Sequence, residues 1–213
     1  MKLAHVLIVC SAMAAAPAAM AQRWEFGVGA GGGFYNSQNV NLAGTSAAAS
    51  IQTNVATSAW LDNNSGNHFG GELRFSYQLG DLQLKQGSTT ATFGAGAYDI
   101  HYDFLWHTAS PESRVRPFFA GGAGIKVYRG TGEEAIVQPL SQFALLTKVR
   151  DLTPLVSVGV GVKVRLADHV QLRLDVHDYM SSFPKEVITP NVGASVAGWF
   201  HDIVPMAGLS FTF

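Results

Sequence analysis

Apolar and polar side chains alternate along most of this chain, most clearly in its second half. Valine occupies every second position from Val156 to Val164, and serine, glycine or lysine stands between the valines. A repeat of two residues is typical of a β-strand with one apolar and one polar face. The pattern therefore predicts a strand over Pro154–Leu166.

The same repeat predicts eight antiparallel strands joined by alternating long and short connections. They cover residues 24–35, about 51–61, 69–79, about 91–107, about 116–128, 154–166, 170 to about 179, and 204–213. The second strand is the least regular, because Trp60 interrupts its alternation. We expect the long connections, which include residues 36–50, 129–153 and 180–198, to be loops, with one short helix over 140–148.

The composition narrows the class of protein. Only 14% of the 213 residues are charged, whereas soluble proteins average roughly 25%. After the N-terminal segment, no apolar run approaches the ~20 residues of a membrane-spanning helix. A membrane protein of this kind must be a closed barrel, since only a barrel then satisfies its backbone hydrogen bonds in lipid. The formal net charge of −1 gives no sign of nucleic-acid binding.

Residues 1–21 have the features of a cleaved secretory signal. Lys2 precedes an apolar stretch, and Ala19-Met20-Ala21 is a small-x-small cleavage site. The single cysteine, Cys10, lies within this segment, so we expect no thiol chemistry in the mature chain. We expect one β-barrel domain, residues 22–213, to follow.

The end of the sequence bears on which strand face points outward. Leu209, Phe211 and Phe213 share an apolar face that continues to the last residue. A soluble eight-stranded barrel, such as a lipocalin, would turn that face inward. The glycine-rich polar face suits a crowded interior better, so we favour a membrane barrel. Aromatic residues at strand ends would then form two interfacial girdles: Trp24, Phe69, Trp106 and Phe213 beside the short turns, and Tyr35, Tyr77, Tyr128 and Tyr179 beside the long loops.

The terminal segment, residues 208–213, resembles the last strand of small bacterial outer-membrane barrels of the OmpA/OmpX kind. The resemblance extends as a pattern over the mature chain. It implies an up-and-down transmembrane β-barrel with short periplasmic turns and four long extracellular loops. It also implies residence in the outer membrane. We expect a monomer there, in contact with lipid and lipopolysaccharide. The barrel-assembly machinery would insert the chain by reading a signal formed by Gly208, Leu209, Phe211 and Phe213.

Charged side chains concentrate on the polar, inward face of the strands. The candidate interior residues are Glu72, Arg74, Asp99, His101, Asp103, Lys126, Lys163, Arg165, Arg173 and Asp175. Their charges nearly balance, so we expect an ion-pair network in a barrel just wide enough for its own side chains. The alternative is a narrow channel for ions or small solutes along these charges.

Two further alternatives involve chemistry. Asp99, His101 and Asp103 are spaced about 6.7 Å apart along one strand, too far to chelate one ion unless Asp175 or His177 joins them. We therefore expect satisfied hydrogen bonds, with no metal and no cofactor. A lipid A-modifying enzyme would need a nucleophile, a base and an acid at the membrane rim. The residues available there are Ser181, Ser182, His201 and Asp202.

The long loops are the remaining candidate for contacts outside the cell. The stretch Phe143-Ala144-Leu145-Leu146 is either part of a folded lid or contact surface, or a solvated loop. The loops carry no recognisable ligand motif, so the extracellular ligand stays unidentified. The sequence as a whole predicts a non-enzymatic outer-membrane barrel with a structural or surface-binding role.

Overall fold

The computed structural model describes residues 24–64 and 66–213. The predicted signal segment, residues 1–21, lies outside the described residues. Within them no helix is long and apolar enough to span a membrane. Fifteen strands follow one another along the described ranges: β1 (Trp24–Tyr35), β2 (Gln38–Leu42), β3 (Thr45–Ile51), β4 (Asn54–Asn63), β5 (Phe69–Leu79), β6 (Leu82–Gln86), β7 (Thr89–Phe93), β8 (Ala95–His107), β9 (Val115–Gly130), β10 (Ala144–Leu146), β11 (Arg150–Ala167), β12 (Val170–Ser182), β13 (Ile188–Pro190), β14 (Ser195–Val196) and β15 (Trp199–Thr212).

Eight of these strands form one closed antiparallel barrel. Its order is β1, β4, β5, β8, β9, β11, β12 and β15, so each barrel strand neighbours the barrel strand that follows it along the chain. The last strand closes onto the first, with Val28 opposite Leu209. The backbones of Trp24 and Phe213 also bond to each other in both directions. The predicted eight-stranded up-and-down barrel is confirmed.

Several predicted strand boundaries differ from those in the structure. The second barrel strand begins at Asn54, because Ile51 ends β3 instead. The strand predicted over 91–107 divides at Gly94, with β7 and β8 on either side in different sheets. The final barrel strand already begins at Trp199.

The helix predicted over 140–148 is wrong. Residues 144–146 form β10, which pairs with β13 so that Ala144 lies opposite Pro190. The Gln138 side chain fixes the end of β10 through two hydrogen bonds to the Leu146 backbone, of 2.8 and 2.9 Å. Long-range pairing here overrides a local helix propensity.

The long connections fold into a layer over one end of the barrel, which we call the cap (residues 36–53, 80–94, 131–149 and 183–198). It contains a five-stranded sheet, ordered β14-β2-β3-β6-β7, and the two-stranded sheet of β10 and β13. The cap therefore has regular structure where the sequence predicts loops. An apolar cluster joins the cap to the barrel rim, and its buried members are Val40, Ala47, Ala49, Ile51, Leu82, Leu84, Ala91, Phe93, Ala97, Tyr128, Leu140, Phe143, Ala144, Leu146, Phe183, Val187, Ile188 and Phe200.

The two faces of the barrel wall have opposite chemistry. On β11, Val158 and Val160 are about half exposed on the outside, whereas Ser157 and Lys163 are buried inside. The polar face thus lines the interior and the apolar face surrounds the barrel. This arrangement excludes the soluble-barrel alternative, in which the apolar face would fill the interior.

Glycines in the wall make room for Trp60, whose indole points into the barrel and is only 1% exposed. A Cβ atom added to Gly27 would lie 2.3 Å from the Trp60 ring, and one added to Gly208 would lie 2.5 Å from it. The irregularity at Trp60 in the sequence therefore marks a large side chain that faces inward.

The predicted girdle of tyrosines beside the long loops is wrong for three of its four members. Tyr77 faces outward and is 43% exposed. Tyr128 and Tyr179 are buried, because they share the inward face with Lys126 and Asp175 on their strands. Tyr35 also faces inward, where its hydroxyl donates to the Gln78 side chain at 2.8 Å.

Candidate functional site: the charged interior of the barrel

The interior charges come together through the register of neighbouring strands. Glu72 lies opposite Asp62 on one side and Asp103 on the other, and Arg74 lies opposite His101. Because every second residue of each strand points inward, these register pairs form a continuous polar layer. The side chains then reach across the barrel to strands that are not neighbours.

Two arginines connect this layer. Arg74 bonds Glu72 at 2.7 Å and Asp175 at 3.1 Å. Arg173 bonds Asp175 at 2.6 Å and Asp62 at 3.3 Å, and it also pairs with Glu72. All five side chains are nearly or fully buried. Multiple partners at each carboxylate are what buried charges need if pairing is to offset their desolvation.

Lysines bind the remaining acids. Lys163 Nζ lies 2.7 Å from Glu25 and 2.6 Å from Asp62, which links β11 to β1 and β4. Nearer the cap, Lys126 Nζ lies 2.5 Å from Asp202 and 4.8 Å from the centre of the Tyr35 ring.

Aromatic rings flank the arginine groups. The Arg173 guanidinium lies 4.8 Å from the Trp60 ring centre and 4.5 Å from that of Phe118. Arg74 lies 5.2 Å from the same Trp60 ring. These cation–π contacts fill the space between ion pairs with large side chains. The interior is consequently a packed layer of charges and rings.

The structure differs from the predicted set of interior residues in two ways: one predicted residue lies outside the network, and three buried acids were omitted. Arg165 lies toward the short-turn end, where it donates to the backbone carbonyl of Pro111. Glu25, Asp62 and Asp202 were not predicted as members, yet each is fully buried and ion-paired. For Glu25 the signal is its place among the inward glycines of the first strand, whereas Asp62 stands in a sequence typical of turns.

A group of histidines and carboxylates lies beside the arginines. His101 Nδ1 is 2.9 Å from Asp99, and His177 Nδ1 is 3.2 Å from Asp175. The other ring nitrogen, Nε2, lies near Asp103 Oδ2, at 3.6 Å for His101 and 3.5 Å for His177. The fold thus brings His177 to the Asp99–Asp103 segment, as a shared site would require.

The residues considered for an enzyme lie on opposite faces of the wall. His201 faces outward, and its Nδ1 lies 2.8 Å from Asp178. Asp202 faces inward to Lys126, and the Ser181 hydroxyl is inside as well, 2.7 Å from that of Tyr128. Neighbouring residues of a strand point to opposite faces, so the barrel wall separates Asp202 and Ser181 from His201. Ser182 lies on the outward face with His201.

The predicted assembly signal lies at the end of the closing strand, with Phe213 directly after β15. Leu209 and Phe211 are about half exposed on the outer wall. Gly208 approaches the Trp60 ring, and the Phe213 backbone pairs with Trp24. The structure gives these positions, and their use as a signal stays a prediction.

A closed barrel with an apolar outer wall and a charged interior is a membrane barrel. Comparison with known proteins gives the family: the model of the outer membrane protein beta-barrel domain matches residues 4–199. The chain belongs to this family. It is therefore an outer-membrane β-barrel protein of bacterial type.

Solved structures share the fold at low sequence identity. The outer membrane protein OprG from Pseudomonas aeruginosa aligns with a TM-score of 0.61 and 13% identity, over 90% of this chain and 97% of its own. Neisserial surface protein A aligns with a TM-score of 0.53 and 10% identity, over 88% of this chain and 97% of its own. No curated protein matches the chain in sequence. At these identities the likeness concerns the fold alone.

Proposed function

We propose that this protein is a non-enzymatic structural or surface-binding component of the outer membrane. The ion-paired interior beneath a folded cap is the observation that carries the proposal. Buried Arg74 and Arg173 lie across the inside, and the apolar cluster of the cap covers the loop end. Such a barrel offers its cap, rather than its interior, for contact with other molecules.

The cap carries exposed apolar side chains that suit a contact surface. Ile136, Val137 and Val192 are almost completely exposed, and Glu133 and Glu134 precede the first two in the sequence. Binding residues are disproportionately found on loops that a rigid scaffold holds in place. We propose that a monomer presents this surface outside the cell, surrounded by lipid and lipopolysaccharide.

Conductance separates this role from that of a narrow channel. The whole protein, purified from outer membranes and inserted into a planar bilayer, should stay silent while its heat-dependent gel migration shows that it is folded. Steady single-channel currents that change in Arg74→Gln or Asp103→Asn would contradict the proposal. They would make the interior charges a pathway.

A lipid-modifying activity is the second candidate, because Asp178 and His201 form a polar pair on the outward face. A groove of about 510 Å³ lies beside this pair, and its lining includes Val156, Met180 and Trp199. Mass spectrometry of lipid A from cells with and without the protein tests the candidate. We expect the same mass; a change that His201→Gln abolishes would make the protein an enzyme.

The proposed insertion by the barrel-assembly machinery is tested at the last residue. Phe213→Ala should lower the yield of folded barrel in an assembly assay, because it removes the terminal aromatic of the proposed signal. Phe26→Ala is a matched control, since Phe26 is an outward aromatic of the neighbouring strand opposite Phe211. Equal yields from Phe213→Ala and the parent would contradict the assembly role.

A further inference from the structure

Three strands bring potential metal ligands together inside the barrel. Glu72 on β5, Asp103 on β8 and His177 on β12 each offer a ligand atom, and these atoms all lie within 4.8 Å of one another. His101 lies on the other side of the Asp103 carboxylate, with its Nε2 3.6 Å from Oδ2. All four side chains are buried.

Both histidines are oriented as metal-binding histidines usually are. A carboxylate holds Nδ1 in each case, Asp99 for His101 and Asp175 for His177. In the neutral ring, Nδ1 then carries the proton and Nε2 offers a lone pair. A carboxylate behind a ligating imidazole fixes its ring orientation and strengthens it as a ligand.

The distances around Asp103 suit shared ligation better than hydrogen bonding. The Nε2 atoms of His101 and His177 lie 3.6 and 3.5 Å from Oδ2. N–H···O hydrogen bonds normally measure about 2.7–3.2 Å. Tetrahedral ligands at the usual zinc distances of about 2.0–2.2 Å are roughly 3.3–3.6 Å apart.

Three atoms of this group have no hydrogen-bond partner among the described residues, whereas Asp103 Oδ2 accepts from the Ser157 hydroxyl at 3.1 Å. The three atoms are Nε2 of His101, Nε2 of His177 and Oδ1 of Asp103, and all three are buried. Buried polar atoms normally have a partner, and each exception calls for an explanation. Two such imidazole nitrogens that face one partly unpaired carboxylate point to a ligand between them.

The charge of the interior favours a cation. Seven carboxylates are buried in the described chain: Glu25, Asp62, Glu72, Asp99, Asp103, Asp175 and Asp202. Five basic side chains other than histidine are buried with them: Arg74, Arg116, Lys126, Lys163 and Arg173. An excess of negative charge in a low-dielectric interior is costly unless a cation compensates it.

We propose that His177, Asp103 and Glu72 bind a divalent transition-metal ion, with His101 as a further ligand. Imidazole nitrogen and carboxylate oxygen together suit Zn²⁺. Glu72 would be the weakest ligand, because Arg74 and Arg173 already bind its carboxylate. The ion would link β5, β8 and β12 within the wall.

Zinc content tests the proposal directly. The whole protein, without a histidine tag, is unfolded, freed of metal with a chelator, and refolded into detergent with Zn²⁺. After removal of free metal, elemental analysis should find one Zn²⁺ per folded chain. Replacement of Zn²⁺ by Co²⁺ should give visible absorption bands typical of a tetrahedral nitrogen and oxygen site.

Two variants and one control locate the ion. His177→Gln should abolish stoichiometric binding. Asp99→Asn, which changes only the group behind His101, should weaken binding about 10–100-fold. His107→Gln is the matched control, because His107 lies on the same inward face of β8 and is equally buried but outside the cluster. It should bind like the parent.

Two results would contradict the proposed zinc site. A folded parent that retains no more Zn²⁺ than His177→Gln would overturn the proposal. Loss of zinc in His107→Gln that equals the loss in Asp99→Asn would also overturn it. Heat-dependent gel migration confirms folding in every sample. If His177→Gln fails to fold, the Co²⁺ spectrum of the parent tests the site, and absence of the tetrahedral bands would overturn the proposal.

Discussion

The barrel interior and the cap core fill their volumes with opposite chemistry. Inside the barrel, Arg74, Lys163 and Arg173 are buried against carboxylates from several strands. In the cap, Leu84, Phe143 and other apolar side chains pack against one another. Both regions consist of strands and both are well buried, but one depends on directional pairs and the other on apolar contact.

The two regions should therefore differ in how much an amino-acid substitution destabilises them. A buried charge that loses its partner keeps its desolvation cost, so the penalty of one substitution is large. An apolar core can repack around a substitution that keeps roughly the same volume. We infer that the interior fixes the barrel, whereas the cap can vary in sequence while its fold is kept.

The largest effect on the barrel should come from Arg173→Met. The substitution keeps much of the side-chain volume beside Trp60 but leaves Asp62, Glu72 and Asp175 with one fewer partner. We expect the free energy of barrel unfolding to fall by about 3–5 kcal/mol. Urea unfolding in detergent, followed by gel migration, measures the loss.

Arg165→Met is the matched control for this substitution. Arg165 lies on the neighbouring strand and donates to a backbone carbonyl at the turn end, rather than to the carboxylates that bind Arg173. It should cost much less. Equal losses for both arginines would show that the network has no special part in barrel stability.

A smaller effect is expected from Gly27→Ala. The new methyl group would lie 2.3 Å from the Trp60 ring, which Gly29 and Gly208 also confine. We expect a loss of about 1–3 kcal/mol from overpacking. Gly121→Ala is the control, since its nearest neighbour would be 4.0 Å away. If Gly121→Ala lowers the free energy of unfolding as much as Gly27→Ala does, tight packing around the Trp60 indole is not the cause of the loss.

The smallest effect on the barrel should come from Phe143→Ala. The ring is buried in the cap cluster, and its loss should lower the local stability of the cap by about 3–5 kcal/mol. Barrel unfolding should change much less, because Phe143 belongs to the cap cluster and has no part in the ion pairs of the interior. Limited proteolysis of the folded protein should show faster cleavage in residues 131–149. Exposed Val137→Ala serves as the control and should leave cleavage unchanged.

Strand alternation predicted the barrel, because odd and even positions of a strand point to opposite faces. We call this odd or even position the parity of a residue. Parity correctly places Lys126 and Lys163 inside, for example. It does not say which acid meets which base, since Lys163 pairs with Glu25 from a strand far away in the chain. Tyr128 and Tyr179 were misplaced because position along the strand was given more weight than parity.

The cap shows where local sequence carries too little information. β2 and β3 consist largely of small or amide side chains, which have weak strand propensity. Long-range partners stabilise them: Val196 of β14 pairs with Val40 of β2, and Ala49 of β3 pairs with Leu84 of β6. Local sequence also gives no sign that His177 lies beside Asp103, because their approach depends on closure of the barrel.

Hydrogen–deuterium exchange in detergent tests most directly whether charges fix the barrel and apolar packing fixes the cap. We expect Arg173→Met to speed exchange in β5 and β12 and to leave β3 and β6 nearly unchanged. Phe143→Ala should do the reverse. If either variant speeds exchange equally in both regions, the barrel and the cap form one cooperative unit, which would contradict separate stabilisation by charges and by apolar packing.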